Sequence, residues 1–251
     1  MFERLGYPFA ALIGASALAL GFLTGQWVVA AIVLGAALAL SLGVFIESGP
    51  DSAKEVALIA TLTGIAVAGR LLVHPFPGVQ PMSVIIVASG AAFGVRIGVS
   101  VGALAALVSN FFLIQGPWTP WQMTLWALCG VVGALIPGLL RRRALFALVC
   151  ALLSYGFSTV MDVYSWFYLY AHTWAGLTYS IGTGFPFTLA HAIGSFVIAY
   201  AVGPEFGRML SRFARRLRTE VVWTEPQASG RLAHEQAAVD EEVLSGQVAL
   251  W

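Results

Sequence analysis

Apolar runs of about 18 residues or more, carrying few charges, recur along most of this chain, and they leave it few ways to fold. In lipid every backbone N–H and C=O must find a partner inside the protein, and a helix supplies those partners within one segment. A spanning barrel would need alternating apolar and polar residues, a pattern missing from the sequence. Hydrophobic residues make up 59% of the chain and charged residues only 10%, against about 25% charged in soluble domains. The expected fold class is an all-α membrane protein.

The runs fall at residues 8–24, 28–46, 55–73, 82–93, 97–114, 121–140, 144–168 and 185–203, which gives about eight transmembrane helices. The run at 82–93 is short for a span, so it is expected to tilt or to start below the surface. Ala15-Ser16-Ala17 resembles a signal-peptide cleavage site, but Arg4 is offset by Glu3 and the apolar run continues past it. The first run is therefore read as a retained span. A polar turn at 47–54 follows the second run, with Asp51 or Ser52 able to cap the next helix. Pro75 and Pro77 end that helix.

Charge placement sets the expected topology. With this span count, Arg4, Lys54, Arg96, Arg141, Arg142, Arg143, Arg208, Arg212, Arg215, Arg216 and Arg218 share one side. The positive-inside rule makes that side cytoplasmic, with both termini inside. Arg70 is the exception, near the outer end of the third run. The chain thus divides into two N-terminal helices (1–53), a six-helix core (54–203) and a cytoplasmic tail (204–251). Residues 208–218 form a basic amphipathic stretch suited to the anionic inner leaflet, with contact to a cytosolic partner as the alternative. Residues 220–251 have few apolar anchors and are expected to be disordered.

Unusual chemistry concentrates between residues 70 and 122. Two turn-rich polar loops, at 74–81 and 115–120, flank an apolar hairpin, so both land on one side. Asn110, Gln80, Gln115 and Gln122 offer neutral hydrogen bonds there. Trp118, Trp121, Trp126, Phe111 and Tyr155 offer flat apolar walls, and Asp162 is the acidic residue expected at membrane depth. Pairing of Asp162 with Arg70 is the structural alternative to a role in binding. Cys129 and Cys150 lie inside apolar runs without metal-ligand spacing and read as small buried hydrophobes. The sequence holds no HExxH, GxSxG or phosphate-cradling lysine loop. No catalytic residue, cofactor, metal or nucleic acid is expected. Ala60, Gly64 and Ala68, with Ala53 and Ala57 on a nearby stripe, give the third run a small-residue face. Such a face suits either packing within the bundle or contact with another membrane protein. Gly90, Gly94, Gly98 and Gly102 recur at four-residue intervals and would permit tight helix contact, although a turn near 94–96 breaks their register.

The run GRLLVHPFPGVQP, followed by RIGVSVGALAALVSNFFLIQGPWTPWQM, resembles the substrate-binding S components of energy-coupling factor (ECF) vitamin transporters. The likeness covers residues 54–203 and is most specific at 109–123. It implies a six-helix core that binds a vitamin or related nutrient in an outward-open cavity of a bacterial cell membrane. Gln80, Asn110, Gln115, Trp118, Trp121, Gln122, Tyr155 and Asp162 would contact the substrate. The loop holding His74, Pro77, Gly78 and Pro81 would gate it. It also implies a membrane T subunit, met by an Ala-xxx-Ala-type stripe that corresponds here to Ala60 and Gly64 or to Ala53 and Ala57. Two cytosolic ATPases would supply the energy that topples the S component in the bilayer. Cobalamin or a precursor is the first candidate substrate, with riboflavin and lipoate also suitable. Two other classes stand beside this reading: a membrane sensory or scaffold module with the basic tail as output, and an intramembrane enzyme built on Asp162 and His191.

Overall fold

The computed structural model describes residues 52–136 and 138–217, together with Gln26, Val29, Ile32, Val33, Gly35 and Ala36. The expected spans at 8–24 and 28–46, the cap at Asp51, the side chains of Ala53, Arg215 and Arg216, and the tail at 218–251 lie outside those residues. The described residues are all-helical. Helices α1 (Ser52–Leu72), α2 (Pro81–Phe93), α3 (Val95–Leu113) and α4 (Thr119–Leu135) are followed by a 3-10 turn at Leu139–Arg141. Helices α5 (Arg143–Leu169) and α6 (Trp174–Leu217) complete the series. Four segments are long and apolar enough to cross a membrane: Lys54–Leu72, Val95–Leu113, Arg143–Leu169 and Trp174–Ala214. The chain is a membrane protein. These helices belong to the compact unit Met1–Ala214; of the second unit, Arg215–Trp251, only the last helical backbone of α6 is described.

Helix α2 has 13 residues, about 20 Å at 1.5 Å per residue, against a hydrocarbon thickness of about 30 Å. Eight of those residues, from Met82 to Gly90, are buried on every side of the helix. Such a helix is held by protein rather than lipid, which permits its short length. Its end is sharp because Gly94 adopts φ 93°, a region closed to residues with a Cβ. The Gly94 N–H still reaches Gly90 O at 2.8 Å before α3 begins.

The four-residue glycine spacing has the expected consequence, apart from Gly94 at the turn. A Cβ on Gly98 would come 2.8 Å from Gly130 O, and one on Gly90, Gly102, Gly130 or Gly133 would also strike a neighbouring helix backbone. Helices α2, α3 and α4 therefore meet backbone to backbone. Helix α1 buries Leu58, Ile59, Leu62, Thr63, Ala66 and Val67 on its inner stripe. Ala57, Ala60, Gly64 and Ala68 point out of the bundle, and nothing lies within 4 Å of a Cβ built on Gly64. Of the two readings of this face, internal packing is not what the described residues do.

One end of the bundle gathers the basic residues. Arg96 pairs with Glu55 at 2.8 Å, Phe93 meets Phe213 edge-on, and Arg143 lies over the Tyr200 ring at 3.9 Å. Arg70, near the end of α1, belongs to the opposite end with the chain turns at 73–80 and 114–118.

Three helix limits differ from the sequence expectation: the end of α4 and both ends of α6, whose run is expected at 185–203. Helix α4 stops at Leu135 rather than near 140, and the chain makes a 3-10 turn before Arg143. Helix α6 starts at Trp174, so residues 174–184, expected as loop, are helical. The hydroxyl of Thr173 accepts the Gly176 N–H at 3.1 Å, an N-cap that fixes this earlier start. The helix then continues through Pro186 and Pro204 to Leu217.

Candidate functional site

At the end opposite the basic cluster, Arg70 turns inward from α1. Its Nη1 donates to Ser109 Oγ and, at 3.0 Å, to Asn110 Oδ1. Its guanidinium lies 4.8 Å from the centre of the Trp126 ring, a cation–π contact with a fully buried indole. Asn110 is only 1% exposed. Its amide nitrogen donates to Thr119 Oγ1 at 3.0 Å and Gln122 Oε1 at 2.9 Å, so its carbonyl oxygen is the atom presented to Arg70. Thr119 Oγ1 donates to Gln115 Oε1 at 2.9 Å, and Gln115 Nε2 donates to Leu107 O at 2.8 Å. The start of α4, the end of α3 and the end of α1 are thus joined by a continuous polar network inside an apolar bundle.

A second chain of hydrogen bonds starts from the same indole. Trp126 Nε1 donates to Ser83 Oγ at 3.2 Å, and Ser83 Oγ bonds His191 Nε2 at 3.0 Å. His191 Nδ1 bonds Ser158 Oγ at 2.9 Å. Phe157 stacks on Trp126 with ring centres 4.3 Å apart and meets His191 edge-on. The chain ties α4, α2, α6 and α5 together through side chains that are mostly buried.

Asp162 belongs to a third arrangement. Its Oδ2 accepts from Thr188 Oγ1 at 3.1 Å, its backbone oxygen accepts from Ser180 Oγ at 2.7 Å, and its carboxylate fills the space beside Gly184. The expected alternative of an Arg70–Asp162 ion pair is not formed. Nor does Asp162 meet His191, whose two ring nitrogens are engaged by Ser83 and Ser158. Among the described residues, no group of three or more His, Cys, Asp or Glu side chains is placed to hold a metal.

The remaining expected residues are distributed as follows. Gln80 precedes α2, and its Oε1 is buried without a hydrogen-bond partner, as is Trp121 Nε1. Trp121 packs against Tyr164 at 6.1 Å. The Trp118 ring covers Gly116 in the second loop. Tyr155 is 43% exposed on the outer face of α5 and takes no part in the polar network. His74 and Pro77 are exposed. Gly78, at φ 82°, presses the first loop against Phe187 and Ala190 of α6, and Val79 packs beside Gly194. Sequence reasoning does not single out Ser83, Ser109, Thr119, Ser158 or Thr188. Small hydroxyl residues are common in membrane helices, so their identity alone carries little signal.

A cleft of about 390 Å³ lies beside the second loop, between Ile32, Gly35 and Ala36 on one side and Leu107, Gln115, Pro117, Thr119, Pro120 and Met123 on the other. That volume is within the usual range for small-molecule sites. Thr119 belongs both to this cleft and to the network around Asn110.

Residues 50–209 match the profile of a family described as a family of unknown function, DUF6580. No curated protein matches the chain, and no solved structure does.

Proposed function

This chain belongs to the DUF6580 family, a family of unknown function, and we propose that it is the substrate-binding S component of an ECF-type importer in a bacterial cell membrane. It would take up a vitamin-class nutrient from outside and deliver it inward with a membrane T subunit and two cytosolic ATPases. The observation that carries this reading is the network joining Arg70, Ser109, Asn110, Thr119 and Gln122 at one end of an apolar bundle. Polar groups at membrane depth are costly and mark functional sites by default. A loop docked on α6 through Gly78 and Val79 adjoins the same end of the bundle and supports a gate there. The small outward face of α1, with Ala57, Ala60 and Gly64 exposed, suits close approach of the T subunit.

In this reading the basic end is cytoplasmic, and Gln80, Asn110, Gln115, Trp118, Trp121, Gln122 and Asp162 surround the substrate. Cobalamin or a precursor, riboflavin and lipoate are the candidate compounds.

The test is thermal unfolding of the purified full chain in detergent with cobalamin, cobinamide, riboflavin, thiamin, biotin and lipoate. A ligand at about 100 times its Kd stabilises by about 2.7 kcal/mol, a readily measured shift. One stabilising compound, weakened by Asn110→Ala, supports the reading. A folded sample indifferent to every compound rejects it in favour of a sensory or scaffold module.

A further inference from the structure

We infer that Arg70 receives an anionic group of the substrate, a carboxylate, so that the transported compound is a small carboxylic acid; this rests on the transporter reading above. Both hydrogen bonds of the guanidinium leave through Nη1, to Ser109 Oγ and Asn110 Oδ1. These are neutral acceptors. The edge formed by Nε and Nη2, the pair that grips a carboxylate side-on, is used by neither.

Nothing acidic offsets this cation among the described residues. The ion pairs there are Arg96–Glu55 and Arg208–Glu205. Asp162 gives its Oδ2 to Thr188. An arginine charge within a membrane bundle is costly when it has no counter-charge, and the surroundings hold this one in place without neutralising it. Asn110 is locked by Thr119 and Gln122 with its oxygen toward the guanidinium, and Trp126 supports the flat face. A rigid, oriented and charge-unbalanced arginine is built for a partner that arrives from outside the chain. Lysine would not substitute, because it lacks both the planar fork and the face that lies over the indole.

The experiment compares matched acids and amides on the full chain in detergent: lipoate with lipoamide, biotin with biotinamide, and nicotinate with nicotinamide. In at least one pair the acid should bind about 10- to 100-fold more tightly than its amide, the range expected of a charged hydrogen-bond pair. Arg70→Gln should abolish that preference, and Arg70→Lys should restore only part of it. The comparison is made first on the native chain, so the acid preference is measured even where an Arg70 variant folds poorly. Riboflavin or cobinamide binding that Arg70→Gln leaves unchanged would overturn the carboxylate inference while keeping the transporter reading. Stabilisation by phosphatidylglycerol micelles alone would overturn it by assigning Arg70 to a lipid phosphate. No binding by any acid, amide or vitamin would overturn both.

Discussion

Arg143 Nε donates to the backbone oxygen of Tyr200 at 2.6 Å, and this is the carbonyl that Pro204, four positions later and lacking an N–H, cannot satisfy. The same guanidinium covers the Tyr200 ring at 3.9 Å. The first residue of α5 thus completes the helix that a proline interrupts in α6. Arg143→Gln is expected to destabilise the bundle by about 1–2 kcal/mol. With Pro204→Ala also present, the helix supplies its own donor and the cost of losing Arg143 should shrink. A double-mutant cycle on thermal unfolding in detergent measures this; strictly additive effects would show that the two are independent.

The glycines separate into two kinds, and Ala substitution distinguishes them. A methyl at Gly98 would meet Gly130 O and the Gly90 Cα, each at 2.8 Å, and neither is a movable side chain. Gly98→Ala is expected to destabilise by about 1–3 kcal/mol. Gly64 has open space around it, so Gly64→Ala should be neutral or stabilising by up to about 1 kcal/mol. A bulkier Gly64→Leu should leave unfolding of the isolated chain unchanged yet reduce co-purification with a T subunit. Equal co-purification would remove this face of α1 from the proposed contact.

Much of this architecture is legible in the sequence, and the failures have physical causes. The turns on either side of the α2–α3 pair and the glycine contacts, apart from Gly94, follow from apolar periodicity and four-residue spacing. Asn110 and Gln122 stand out because an amide inside an apolar run needs a partner. The start of α6 is hidden because Gly176, Gly182, Gly184 and Pro186 look like a loop. Inside a membrane bundle a proline is tolerated, since neighbouring helices can satisfy the freed backbone. Charge alone pairs Arg70 with Asp162. Its actual partners, Ser109 and Asn110, lie 39 and 40 positions away and become visible only once α1 is packed on α3. Tyr155 stands out for its aromatic ring, but helical phase turns it outward.

Gly184 and Asp162 should behave as a coupled pair. A Cβ on Gly184 would occupy the place of the Asp162 carboxylate, pushing it off the Thr188 hydroxyl, whose hydrogen bond it accepts at 3.1 Å. Gly184→Ala is therefore expected to cost about 1 kcal/mol in the native background. In an Asp162→Ala background the same change should stabilise, because only the helix-propensity gain of about 1 kcal/mol remains. A change of sign between the two backgrounds, read by thermal unfolding, is the expected result. Stabilisation in both would mean that the carboxylate rearranges without loss, and destabilisation in both that the two residues are not coupled.

Asn110 joins three partners, and its removal should therefore cost more than that of any one of them. It accepts from Arg70 and donates to Thr119 and Gln122, all within 3.0 Å. Asn110→Ala leaves buried groups on α1 and α4 without their shared partner and is expected to destabilise by about 1–3 kcal/mol. Gln122→Ala removes a single acceptor and should cost about 0.5–1 kcal/mol. The double variant should cost less than the sum, because the Gln122 bond cannot be lost twice. If Asn110→Ala unfolds at the native temperature, the network is replaceable by water and does not hold α1, α3 and α4 together.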